Sequence, residues 1–293
     1  MNVFRNKVYL LIKNTFMHFK FKKGVLAIIG AVLLTACGGS NQEEVDVTEE
    51  DSSPVVGIDS QKISAQNVFN TIPSRATILE LTRQAGSEYN VAYLNSPDDV
   101  SKYAIESSRA LNLGVYGADL NVASIYEQTQ ESMLFFKCVS IIAKSLGVSN
   151  SFGENMGDRM IANQSNRDST LNIITQAFKS ADNTLRKNGR PGTSSLLVAG
   201  AWIEGLYVAC QTAKETKNEA IIKEVFNQKE SLANLVELLG SAKLNTEAEY
   251  VLTDLKDIKT LLDNKSDSNY SLSALQPLDT KITTLRNQII STK

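Results

Sequence analysis

LLVAGAWIEGLYVAC, residues 196–210, places apolar or small side chains on every face of a helix and carries one charge, Glu204. A helix that is apolar all round lies inside a large protein or inside a membrane. This stretch is shorter than the roughly 20 residues that span a bilayer, and its charge sits mid-segment, so burial within a fold is expected. LNLGVYGADLNVASIY, residues 111–126, has the same character, with Asp119 as its one charge. Gly200, Ala201, Gly205 and Ala209 leave room for a close helix neighbour. These two segments are expected to form the centre of an all-α fold, a multi-helix bundle.

The flanking sequence has helical texture. The chain has five prolines in 293 residues and few alternating β-branched runs, which leaves little for a sheet. Pro73 opens PSRATILELTRQAG and Gly86 stops it. Ser96-Pro97-Asp98-Asp99 reads as an N-cap, a first-turn proline and two acids matched to the helix dipole, with helix expected onward through Tyr126. A segment over 130–146 ends at Gly147 in the usual C′ place. Asn166 or Asp168 caps a helix reaching Asn188, and Gly189-Arg190-Pro191-Gly192 ends it. Further helices are expected over 193–214, 218–228, 230–239, 246–262 and 278–291. In the 246–262 segment, Ala248, Val251, Leu252, Leu255, Ile258, Leu261 and Leu262 share one face. No fixed repeat period recurs. The expected organisation is one helical domain over 62–293, with its core over 96–214 and C-terminal helices over 218–291.

The amino-terminal region reads differently. Lys20, Lys22 and Lys23 precede the apolar run GVLAIIGAVLLTAC, residues 24–37. A basic region, a short apolar region and small residues before a cut site make a secretory signal over 1–36, with Met17 as the expected true start. Leu34-Thr35-Ala36-Cys37 resembles a bacterial lipobox, in which the cysteine is acylated and becomes the mature amino terminus. Residues 37–61 hold seven acids and no Lys or Arg, and are expected to be a flexible, self-repelling tether. Gly38 favours sorting to the outer membrane. Asn41-Gln42-Glu43-Glu44 resembles an acidic export signal for the cell surface, although ordinary linker acidity explains it equally well.

The whole chain carries 30 basic and 32 acidic residues. All six basic residues of 1–36 leave with the signal, and the tether takes seven acids, so the folded part is nearly neutral. Neutrality without a Lys/Arg cluster argues against nucleic acid as a partner. Beyond Cys37 the cysteines are Cys138 and Cys210, both in apolar helical stretches. They are expected to be inert core thiols, with a disulfide as the alternative that an oxidising envelope permits.

Asp119 and Glu204 are the candidate site residues of the two central helices. A buried carboxylate must be paired, hydrogen-bonded or protonated. Tyr116 and Tyr207 lie three residues away on the same faces, and Arg159 and Arg167 are candidate counter-ions. The polar run 163–169, with Asn166, Arg167 and Asp168, reads as turn and cap chemistry or as a ligand-facing loop. The structural reading of the carboxylates is a satisfied polar network that sets helix register. The functional one is a pocket in which Tyr116, Asp119, Asn166, Arg167, Asp168, Glu204 and Tyr207 bind a small ligand.

Three stretches, LGVYGADL (113–120), NRDS (166–169) and WIEGLY (202–207), together resemble a family of all-helical lipoproteins of Bacteroidota. The resemblance covers roughly residues 64–212. It implies an envelope location and supplies no activity.

The only histidine is His18, inside the signal, so a mature chain has no imidazole base, no Ser-His-Asp or Cys-His pair and no HExxH helix. There is no GxGxxG motif and no P-loop, and no cofactor or metal is expected. The expectation is a non-enzymatic binding or scaffold module of the cell envelope. It would be held to the lipid membrane through acylated Cys37 and would contact other envelope proteins. The alternatives are a small-ligand-binding lipoprotein or a carboxylate-based enzyme.

Overall fold

A helix without a polar face needs neighbours on every side, and both central segments have them. The computed structural model describes residues 80–153, 155–264 and 270–292. The signal, Cys37, the tether and the helix start at Pro73 lie outside the described residues. After a helical end at residues 80–84 and two 3-10 helices, Val91–Tyr93 and Pro97–Lys102, come ten α-helices. These are α1 (Glu106–Ile125), α2 (Thr129–Ser145), α3 (Ser149–Phe152), α4 (Met156–Ala162) and α5 (Arg167–Lys187). They continue as α6 (Pro191–Thr216), α7 (Glu219–Phe226), α8 (Lys229–Ser241), α9 (Glu249–Asp263) and α10 (Leu272–Ser291). No strand occurs among the described residues.

Helix α1 packs against α6, α2 and α5, while α6 also meets α10, α7 and α8. Of the 20 residues of α1, 17 are buried, which is why its sequence shows no polar face. Helix α6 is long and apolar enough to cross a membrane, yet 89% of its most apolar window is buried inside the protein. Leu113, Leu197 and Ile203 are fully buried, each worth about 1.5–3 kcal/mol against exposure. Trp202 is also fully buried, and its indole N–H donates to Ser231 Oγ of α8 at 2.9 Å.

Glycine makes the α1–α6 seam tight. A Cβ on Gly114 would run into the carbonyl oxygen of Leu197, and one on Gly200 into that of Leu111. The two helices run in the same direction. Glu106 at the start of α1 accepts from Arg190 Nε and Thr193 Oγ1 at the start of α6. The glycines meet further along.

The local signals hold in part. Gly86 and Gly147 have φ of +79° and +73°, the left-handed stop expected of them. Asn166, rather than Asp168, caps α5, accepting from Ser169 N at 3.0 Å. Ser96 caps as expected, but the element it opens is a 3-10 helix that ends at Lys102, and α1 starts afresh at Glu106. The break lets Tyr103 turn inward, where its hydroxyl accepts from Asn95 Nδ2 at 2.9 Å and donates to Ile290 O at 3.4 Å. Those tertiary bonds replace one continuous helix.

The last helix starts at Leu272 rather than 278, with Ser271 as its N-cap and Pro277 inside it. An internal proline costs roughly 3 kcal/mol, and here Leu275 and Leu278, both buried, hold the turn around it. The short helices α3 and α4 lack a readable period at their length. Cys138 and Cys210 are free, buried thiols. Burial pushes Cys138 up to about 11 and Cys210 further.

Candidate functional site

The parallel register of α1 and α6 brings Asp119 and Glu204 side by side, both fully buried. Helix α10 runs antiparallel beside the pair and supplies Arg286. Its Nε donates to Glu204 Oε2 at 2.9 Å and its Nη2 to Oε1 at 2.8 Å, a two-pronged ion pair. Nη2 also reaches the carbonyl of Tyr93 at 3.3 Å, and the guanidinium lies 4.6 Å from the centre of the Tyr207 ring. Burial alone would lower the Arg286 pKa. The charge and hydrogen bonds of Glu204 outweigh that and raise it, so Arg286 stays charged.

Asp119 is held differently. Its Oδ2 accepts the backbone N–H of Asn95 at 3.1 Å, and no N–H or O–H is aimed at Oδ1. Burial, and then the neighbouring charge of Glu204, push its carboxyl well above the ordinary aspartate range, against the opposing pull of Arg286. These surroundings favour the uncharged form of Asp119 over the ionised one. Arg286 answers the charge of Glu204 directly, the pairing that a buried charge requires.

Around this cluster α10 is fastened to the first half of α1. Asn112 Nδ2 bonds to the carbonyls of Ser108 (2.9 Å) and Ile289 (3.2 Å), and Ser108 Oγ donates to Thr292 O at 2.8 Å. Tyr116 donates to Ser96 O at 2.7 Å and stacks edge-on with Tyr103, 6.2 Å between centroids. Asn95 Oδ1 and Asn112 Oδ1 accept nothing.

Tyr116, Asp119, Glu204 and Tyr207 thus gather around one interior network. Asn166, Arg167 and Asp168 form a separate group at the start of α5. There Arg167 pairs with Glu80 and stands 3.9 Å from Glu127, while Asp168 is exposed. Arg83, and against burial also Arg167, hold the Glu80 carboxyl down at about 2. The hollow beside this loop is lined by Ser124, Glu127, Met133, Met160, Ile161 and Gln164 among others. Its volume of about 20 Å³ admits roughly one water.

The counter-ion of Glu204 is Arg286, in place of the expected Arg159 or Arg167. A signal for it exists in the sequence. Ile282, Leu285 and Ile289 make the buried stripe of α10, and Arg286 interrupts that stripe with a charge. Asn95 and Tyr103 carry no such signal, since they act from irregular backbone. Among the described residues no three His, Cys, Asp or Glu side chains are grouped to hold a metal ion.

Compared with known proteins, the chain matches no family model, no curated protein and no solved structure. The resemblance carried by LGVYGADL, NRDS and WIEGLY therefore rests on those motifs alone.

Proposed function

We propose that this protein is a membrane-anchored lipoprotein whose helical domain acts as a binding or scaffold module of the cell envelope. The single observation that carries the anchor is the segment 24–37, which ends on Leu34-Thr35-Ala36-Cys37 after three lysines. Acyl chains contribute roughly 0.8 kcal/mol per buried CH₂, so a multiply acylated Cys37 holds firmly where one chain would not. The acidic stretch that follows sets the helical domain off from an anionic membrane surface.

The interior favours a module that works by its surface over an enzyme. Glu204 is held on both oxygens by Arg286, Asp119 beside it accepts the Asn95 N–H, and both side chains are fully buried. A glycosidase-type pair needs its carboxyls roughly 5–9.5 Å apart, with a sugar between them. Two fully buried carboxyls inside a helix seam, one of them gripped by Arg286, leave no such space.

The test is mass spectrometry of the mature amino terminus, with detergent partitioning of wild type and Cys37→Ser. Acyl chains on Cys37 and a shift of the variant to an uncleaved or aqueous form are expected. An unmodified amino terminus upstream of Cys37 overturns the reading.

A further inference from the structure

Helix α2 packs on α1 through one side only. Phe135, Cys138, Val139 and Ile142 of that side are buried, and the opposite face is open. Gln130, Leu134, Lys137, Ile141 and Lys144 stand on the open face, each exposed. Their spacing of three and four residues sets them in one line along the helix, about 15 Å from Leu134 to Lys144. Leu134 is 50% exposed and Ile141 40%. Helix α4 widens the apolar part. A Cβ on Gly157 would touch both Met133 and Phe136 of α2 at 3.2 Å, so its absence lets α4 sit close. Ile161, one turn on from Gly157, is 45% exposed and lines the same hollow as Met133.

Lys137 and Lys144 alternate with Leu134 and Ile141, and neither is ion-paired among the described residues. No carboxylate stands in the line. Carboxylates border it on the neighbouring elements: Glu131 at the start of α2, Asp98 on the 3-10 helix that packs on α2, and Asp158 on α4. A second copy of the chain on this face would bring four ammonium groups into one apolar seam with no carboxylate in it, which burial penalises. The line also presents only about 150 Å², about 15 Å by a helix width of ~10 Å, against the roughly 800 Å² per partner of a stable protein interface. An anionic lipid surface has neither requirement. It takes the aliphatic tips into its headgroup boundary and leaves the ammonium groups among phosphates and water, with the lysine stems reaching between the two.

We propose that the open face of α2, with Leu134, Lys137, Ile141 and Lys144 in line and Ile161 beside them, docks on an anionic phospholipid surface. The inference rests on the anchor at Cys37 proposed above. An acyl anchor keeps the domain at high effective concentration near the bilayer, so a contact too weak to recruit the protein is enough to orient it. The acids of 37–61 are repelled by the same surface, and the two lysines supply the attraction that brings the domain back to it.

Full-length acylated protein carrying Leu134→Trp tests this. It is reconstituted with vesicles of phosphatidylcholine alone, or of phosphatidylcholine with phosphatidylglycerol, each doped with lipid brominated on its acyl chains. Flotation with phosphatidylcholine alone reads the anchor. Quenching of the new indole reads the docking, with wild type, whose single Trp202 is fully buried, as background. Quenching is expected in the phosphatidylglycerol vesicles, weak in phosphatidylcholine and lost at high salt. Lys137→Gln with Lys144→Gln changes two exposed side chains and should lower the docked-to-free ratio by roughly thirtyfold, two lysines at about 1 kcal/mol each. Flotation without quenching overturns the docking and leaves the anchor standing. Failure to float on phosphatidylcholine fails the anchor, and the quenching arm still decides the face. Equal quenching in both vesicles, or in the double variant, overturns the proposal. A dimer in neutral detergent that Ile141→Glu disperses assigns the face to a second copy and overturns it too.

Discussion

Two buried arginines sit on carboxylates in this molecule, and they are finished differently. Arg286 grips both oxygens of Glu204, adds the Tyr93 carbonyl and lies against the Tyr207 ring. Arg186 touches one oxygen of Asp182 and leaves both terminal nitrogens without an acceptor. The first pair is a closed lock between three helices. The second is a single-pronged pair whose other donors are buried and unmet. Burial alone therefore does not say how well a charge is answered; the count of satisfied donors does.

The sharpest way to break this contrast is Glu204→Ala. It strands Arg286 inside the bundle and is expected to cost about 3–5 kcal/mol in urea unfolding. A loss under about 1 kcal/mol would show that the lock is not what holds α10 to α6.

Gly200→Ala comes next, at about 1–3 kcal/mol, because the new methyl group meets the Leu111 backbone and no flexible side chain can yield. The same substitution at Gly240, where nothing lies within 4 Å, is the control and should be neutral or slightly stabilising.

The smallest effect is expected at Asp119→Asn, because the surroundings of this residue already favour an uncharged side chain. At neutral pH the change should stay within about 1 kcal/mol, as the amide is uncharged and its oxygen can still accept the Asn95 N–H. The pH dependence sharpens this. A carboxyl whose folded pKa is raised adds stability that is fully present below its unfolded value, about 4, and lost as pH rises through its folded value. Wild type should therefore lose stability relative to Asp119→Asn as pH rises from about 4. Paired melts across pH check this, and a gap that stays constant or moves the other way would show that burial does not raise this carboxyl.

Much of the bundle was legible in the sequence because the signals are local. The two stretches without a polar face told of burial, Gly147 and Gly86 told of helix ends, and the stripe from Ala248 to Leu262 placed α9. Asp119 and Glu204 stood out because a lone charge in an apolar run must be answered by something. What answers it could not be read along the chain. Arg286 is 82 residues from Glu204, and its helix begins at Leu272, six residues before the expected 278, with Pro277 inside it. Tyr103 leaves the helix that Ser96 opens, since its contacts to Asn95 and Ile290 outweigh local propensity. The sequence by itself determined that the chain is helical, where its centre lies and that two acids are buried there. Only the tertiary structure decided which base pairs with them, that α1 and α6 run parallel, and which arginine keeps free donors. Those are questions of register between distant segments, and helical periodicity carries no information about register.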